Sequence, residues 1–498
     1  MLASMRWLAV SILLFTTTCA AAVTKEPEPL KHLKALTTKN IDVSFIAVDL
    51  NRNRVLLEYH AGKRLTPASV SKLYIHAAAL KKWGPHHRFV TRLVSPGTIK
   101  DGLLSGDLML VGAGDPQLTA DDLWLLAMRL KQTGIRAIEG NLIVNEYLFG
   151  RVPCITEDRC DALSATDNGY DSPLSSAGIG FSALEITIFP GEEIGDAARI
   201  SLFPPMLDGY TPTGAIKTAS SRIRPAYGVQ RKTVEGEDLL RAHGKVPAGG
   251  GPFRIYRSVS DPARNTGQVF RAILKDTGIT ISGQVKTSVS PAPRDHKQIT
   301  LIESEELGQQ LRNMMIYSNN FMADTLTLGL MADGKPENAV SLPLASRYLE
   351  TLARESLLPS YAWNKNKTET PLVIDSGSGL SITNRLSASD VVSLLAHMYS
   401  QNDLFPAFVG GLSVPNHSPS RSLRRGANSE WRSRIAVKTG YLSEPVSVLT
   451  VGGYFRLKNG GWGAFAGLTN GTTKRRHISA RVTMAAIRQE MQQLMARY

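Results

Sequence analysis

Ser69 and Lys72 stand three residues apart in "TPASVSKLYIHAAAL", residues 66 to 80. On a helix, positions i and i+3 share one face, so the amine can reach the hydroxyl. A serine is a weak nucleophile at its free pKa and needs a base beside it. Lys72 can be that base only when neutral, a state favoured by burial and by a second cation nearby. The pair alone is commonplace, but two further clusters follow it. "YSNN" supplies Ser318 and Asn320, and "VKTG" supplies Lys438, Thr439 and Gly440. Ser318 can hydrogen-bond Lys72 or relay a proton to a leaving amine, and Asn320 can orient Lys72 and hold a substrate amide. Gly440 would let a substrate backbone approach the strand edge. The N–H groups of Tyr441 and Ser69 would form a two-donor oxyanion hole. Lys438 and Thr439 would bind a carboxylate, and a cationic Lys438 would help keep Lys72 neutral. Taken singly, the second and third clusters also read as a helix cap and a strand end; their co-occurrence points to a site. The histidines lack His-Glu-x-x-His spacing and the glycine runs lack a phosphate-cradling context, so neither metal nor cofactor is expected.

Those residues need elements to hold them. Thr66 is expected to cap a helix with Pro67 at its first position, leaving the Ser69 N–H free for a ligand. Leu73, Ala77 and Leu80 are spaced to bury one face, and Gly84-Pro85 stops the helix. Upstream, "IDVSFIAVDLNRNRVLLEYHAG" reads as a hairpin around Asn51-Arg52-Asn53. Residues 88–256 alternate short strand-like runs with Gly, Pro and Asp turns, the pattern of a β-rich insertion of two small subdomains. Helical "ELGQQLRNMMIYSNNFMADTLTLGLM" follows. "SRIAVKTGY", "VSVLTVGGYF" and "GWGAFAGLTN" read as three antiparallel strands, and an amphipathic helix closes the chain. The fold class is therefore α/β: an antiparallel sheet with flanking helices, built from residues 23–87 and 257–498 and interrupted by 88–256, its terminal helices covering one sheet face.

Residues 1–22 carry one early positive charge, the apolar run "WLAVSILLF" and the small-residue stretch "TTTCAAA", the pattern of a cleaved secretory signal ending near Ala22. Threonines precede Cys19 where a lipoprotein signal would carry a Leu-led box. Export leaves Cys154 and Cys160, consistent with one small-loop disulfide in an oxidising compartment. With 498 residues, 43% hydrophobic and 20% charged, the chain is long enough for several cores and is not disordered. Its formal charge of +14 favours an anionic partner. For an exported protein, wall polymer or an anionic membrane surface fits better than nucleic acid. A homo-oligomer is compatible with this sequence.

In this order, Ser69-x-x-Lys72, Ser318-x-Asn320 and Lys438-Thr439-Gly440 resemble the signature of penicillin-binding proteins and serine β-lactamases. More narrowly, the chain resembles the low-molecular-mass class C penicillin-binding proteins, which are periplasmic D-alanyl-D-alanine carboxypeptidases and endopeptidases. Those proteins carry a large β-rich insertion between the first and second motifs. "GAGDPQLT" (112–119), "DPARNTG" (261–267) and "DSGSGLS" (375–381) add to the resemblance. It implies Ser69 as the acylated nucleophile, Lys72 as its base, Ser318 and Asn320 lining the groove, and Lys438, Thr439 and Gly440 receiving a terminal D-alanine carboxylate. It also implies peptidoglycan stem peptides as substrates and β-lactams as covalent inhibitors. An insertion carboxylate that reaches substrate is expected at Asp167, with Asp161 and Asp171 as rivals. The alternatives are a β-lactamase and a catalytically silent wall-binding protein.

Overall fold

The computed structural model describes residues 29–159, 167–203, 212–332, 340–357, 363 and 370–498. The expected signal segment therefore lies outside the described residues, as does Cys160, at which the expected bridge from buried Cys154 would end. A five-stranded antiparallel sheet forms the frame, in the order Ile435–Leu442, Val448–Arg456, Trp462–Gly471, Ile41–Asp49, Arg54–Tyr59. The expected hairpin is its far edge, and the three late strands complete it. Strand Ile41–Asp49 is buried along nearly its whole length, because both sheet faces are covered.

On one face lie the first helix, Lys31–Thr37, and the last, Ala480–Arg497, as the sequence suggested. Leu33 and Leu36 share a core with Ile487, Met491 and Trp431. Glu490 locks the pair by accepting the backbone N–H groups of Leu30 and His32 at 3.1 and 2.7 Å, which satisfies donors that the first helix leaves open. On the other face is the larger core. Its centre is helix Lys72–Trp83, surrounded by Leu307–Tyr317, Asn320–Met331 and Ala388–Tyr399. Lys72 to Leu80 are all buried, so this helix is enclosed on every side and not on the one face that its spacing predicts.

The described residues of the insertion build two cores of their own, which we propose as its two lobes. One holds a mixed sheet ordered Val285–Ser288, Leu142–Asn145, Leu108–Val111, Val90–Ser95, Lys297–Glu303, with helices Ala120–Gln132 and Pro262–Asp276 in the same core. Among the described residues the other is built of strands, with Ala183–Phe189 between Arg199–Phe203 and Phe253–Ser258, and the long pair Ala226–Val234 and Glu237–Pro247. Val90–Ser95 pairs with Lys297–Glu303, so the first lobe is closed by strands from both ends of the insertion. We place the chain's return to the catalytic domain near Ser304, later than the boundary at 257 drawn from the change in residue periodicity. Helix-period residues from 262 onward bury Phe270 and Leu274 in the insertion's own core, and periodicity alone does not say which core a helix joins.

Candidate active site

Ser69 sits on a tight turn. Residues Ala68–Ser71 form a short 3-10 turn that runs into helix Lys72–Trp83, and Ala68 takes a left-handed φ of 46°. Thr66 does not cap this helix; its hydroxyl reaches the Ile382 carbonyl at 3.4 Å. The 3-10 turn replaces the capped α-turn because the edge strand and the 375–381 loop press on it from two sides. A Cβ on Gly440 would lie 2.4 Å from Thr450 Oγ1, 2.7 Å from Ser69 N and 2.9 Å from Pro67 O. One on Gly379, whose φ is 74°, would lie 1.9 Å from Ala68 O. Both glycines are thus required by the approach of their strand and loop to the serine turn. At Gly440 the close neighbour is the protein itself, where the sequence suggested a substrate backbone. Gly440→Ala should therefore cost about 1–3 kcal/mol of stability through overpacking and slow the reaction at Ser69. Thermal melting together with penicillin acylation rates will measure both.

Ser69 is half-buried, while Lys72 has no exposed surface. Lys72 Nζ lies 3.0 Å from Ser69 Oγ, 2.8 Å from Asn320 Oδ1 and 2.6 Å from the Ser378 carbonyl. A neutral amine has two N–H bonds and one lone pair. Asn320 and Ser378 offer only acceptors, so they take the two hydrogens and leave the lone pair facing Ser69. Burial lowers the Lys72 pKa from its ordinary value to about 7, against the opposing pull of Asp324.

Helix Leu307–Tyr317 ends on Ser318 in a left-handed conformation, and Asn319 begins the next helix by accepting the Met322 N–H at 3.0 Å. The plain capping role thus belongs to Asn319, which frees Ser318 and Asn320 for the site. Lys438 Nζ donates to Ser318 Oγ at 2.8 Å and to the Thr439 carbonyl at 2.7 Å. Burial first, then the charge of Lys72, hold the Lys438 pKa well below the ordinary lysine range. The repulsion expected to neutralise Lys72 thus falls chiefly on Lys438. Lys438, Thr439, Gly440 and Tyr441 lie on the sheet's edge strand, with Tyr441 55% exposed.

The insertion meets the site at Tyr170, whose carbonyl accepts from Asn320 Nδ2 at 3.5 Å. A cleft of about 780 Å³ opens there, lined by Tyr317 to Phe321 on the catalytic side and by Tyr170, Glu185 and Tyr256 on the insertion side. Asp167 is not brought to it. The carboxylate accepts the Arg231 backbone N–H at 2.6 Å and pairs with Arg257 at 3.2 Å, inside the insertion. Asp171 is buried beside Arg159 at 3.7 Å, and Asp161 lies outside the described residues. The carboxylate that does line the cleft is Glu185, held by Arg254 at 3.3 Å and by the Tyr256 hydroxyl at 3.2 Å. Nothing in its β-strand context singled it out.

Two other participants escaped the sequence reading. Ser378, in "DSGSGLS", contributes through its carbonyl, a group that residue type does not reveal. Asp324 is fully buried one turn beyond Asn320 and accepts the Ser378 N–H at 2.9 Å. Its signal was available: a lone carboxylate four residues after Asn320 in the otherwise uncharged helix "NFMADTLTLGLM".

A serine bonded to a buried lysine, a second lysine bonded to a second serine, and an edge strand closing the groove define an acyl-transfer site on a penicillin-binding-protein-like fold. The chain belongs to the D-Ala-D-Ala carboxypeptidase 3 (S13) family, whose profile matches residues 30–493. It is 28% identical over 363 residues to the D-alanyl-D-alanine carboxypeptidase of Actinomadura sp. (strain R39), covering 70% of this chain and 63% of that protein. It is 25% identical over 364 residues to D-alanyl-D-alanine carboxypeptidase DacB of Haemophilus influenzae, covering 73% of this chain and 72% of that protein. The crystal structure of penicillin binding protein 4 (dacB) from H. influenzae superposes with a TM-score of 0.74 at 21% identity, covering 93% of this chain and 99% of that one.

Proposed function

We propose that this protein is a serine D-alanyl-D-alanine carboxypeptidase and DD-endopeptidase that acts on peptidoglycan in the periplasm through a Ser69 acyl-enzyme. The observation that carries this reading is the buried Lys72 amine, held by Asn320 and Ser378 with Ser69 Oγ 3.0 Å away. Neutral Lys72 takes the Ser69 proton as the oxygen attacks the carbonyl carbon preceding the terminal D-alanine. The oxyanion that forms is received by the N–H groups of Ser69 and Tyr441. The terminal carboxylate binds at Lys438 and Thr439, and its charge returns a proton to Lys438. Ser318 gives its proton to the leaving amine and is resupplied by Lys438, to which it is bonded; once Lys72 has released its proton to solvent it takes one from the attacking water and returns it to Ser69 Oγ as the ester breaks. The basic surface suits an anionic wall polymer or membrane surface nearby.

The roomy cleft beside Asn320 leaves space for stem-peptide residues beyond the scissile bond, which supports cross-linked peptides as substrates as well as single stems. Intact-protein mass after brief penicillin exposure tests the mechanism, and product analysis of monomeric pentapeptide and cross-linked dimer muropeptides tests the substrates. One stable adduct on Ser69 and release of D-alanine are expected. Penicillin consumed rapidly with no adduct would mean a β-lactamase, and intact muropeptides would mean a binding protein.

The reacting form is the one with neutral Lys72. Acylation should therefore accelerate as pH rises through about 7 and level off above it. A penicillin acylation rate that stays flat from about pH 5 to about pH 9 would remove Lys72 as the base.

A further inference from the structure

A carboxylate at Asp324 is expensive. It sits with no exposed surface in a helix whose neighbours Phe321, Met322, Ala323 and Leu326 are all buried, where an ion without compensation is strongly disfavoured. The mechanism above gives it no step. Its surroundings nevertheless connect it to the reacting amine through a single residue. Asp324 Oδ1 accepts the Ser378 N–H at 2.9 Å, and the Ser378 carbonyl accepts from Lys72 Nζ at 2.6 Å. The loop that carries Ser378 has no slack against this helix: a Cβ on Gly377 would lie 2.1 Å from Thr327 Oγ1.

We propose that Asp324 is a positioning residue that acts through Lys72. By anchoring the Ser378 peptide and placing a negative charge behind the amine, it decides where the Lys72 hydrogens point and how readily the amine gives up its third proton. This rests on the serine–lysine reading above and adds to it a control on the base.

Lys438, on the edge strand, is the group on which the Lys72 charge acts, and its own pKa is held well below the ordinary lysine range by burial and by that charge. Asp375, in the same loop as Ser378, is turned to the hydroxyls of Ser381 and Thr383 at 2.8 and 2.6 Å. His76, one turn along the central helix from Lys72, is kept neutral by burial. Burial raises the Asp324 pKa, while Ser378 and Lys72 oppose that rise. Aspartate and lysine thus stabilise each other's charged forms, and removing the aspartate charge makes Lys72 easier to deprotonate.

The test is the pH dependence of Ser69 acylation by a fluorescent penicillin, compared in the wild type, Asp324→Asn, Asp324→Ala and Asp324→Glu. Asparagine keeps an oxygen for the Ser378 N–H and loses the charge. Its acid limb should move down by about one pH unit or more, with a high-pH rate within several-fold of wild type. Alanine should show the same move and at least a tenfold lower high-pH rate, because Ser378 is no longer anchored. Glutamate, which keeps the charge and misplaces the oxygen, should leave the limb in place and lower the high-pH rate; this variant decides the matter if the neutral ones do not fold. An unmoved or raised limb in Asp324→Asn, or a lowered one in Asp324→Glu, would overturn the proposal and leave Asp324 with a packing role. Absence of any Ser69 adduct in the wild type would instead overturn the serine–lysine reading, and this inference with it.

Discussion

Ser69→Ala should give no covalent adduct with penicillin and lose roughly a million-fold in turnover, the scale observed when a serine hydrolase loses its nucleophile. The substitution removes one oxygen from a half-buried position, and the turn around it is held by other contacts. Thr450 Oγ1 donates to the Pro67 carbonyl at 2.6 Å, and Asn384 Nδ2 donates to Ser71 Oγ at 3.0 Å. The fold should therefore survive, and so should binding of muropeptides through Lys438, Thr439 and Asn320. Mass spectrometry after penicillin exposure and calorimetric titration with a muropeptide make the check. An adduct that persists on another residue would mean that the nucleophile lies elsewhere. Loss of binding along with turnover would mean that the variant disturbs the groove and not the chemistry alone.

Lys72→Met comes second in size. Methionine fills much of the same volume and carries no proton, so acylation should fall by about a hundred- to ten-thousand-fold, the usual worth of a placed general base. The acid limb near pH 7 should vanish from what activity is left. The variant should also change how stability depends on pH. Asp324 loses the cation that opposes its raised pKa, so its folded-state pKa should rise further above the unfolded value. The folded state then binds more protons than the unfolded state between those two values, and stability falls as pH rises through that window. Thermal melting should therefore give a lower midpoint at about pH 8 than at about pH 5, by a wider margin than in the wild type. Equal margins would mean that Lys72 does not compensate Asp324.

The two expectations differ in what they probe. Ser69→Ala removes a reacting atom whose identity the spacing already suggested. Lys72→Met disturbs a network that only the folded chain assembles, in which Asn320 arrives from one helix, Ser378 from a loop and Asp324 from a turn deeper.

By itself the sequence named the candidate reacting groups and the frame that carries them. The hairpin, the three late strands and the terminal helices are written in alternation and helical period, which are local properties. Ser69, Lys72, Ser318, Asn320 and Lys438 stand in short motifs whose residue types suit one chemistry, and the structure bonds them in two sets, Lys72 to Ser69 and Asn320, and Lys438 to Ser318, the serine that the sequence reading offered to Lys72. Tertiary structure decided what depends on enclosure and on main-chain atoms. Lys72 can be a base because helix 72–83 is surrounded, whereas its pattern indicated a single buried face. The second acceptor for its hydrogens is a carbonyl, which every residue has, so no side-chain type marks Ser378. Gly440 proved to be needed by the serine turn because two backbones meet there. Asp167 has the right charge for a substrate contact, but it is spent on Arg231 and Arg257, and Glu185 lines the cleft instead. A carboxylate's charge can be read from its letter, but the partner that neutralises it depends on what the rest of the chain folds against it.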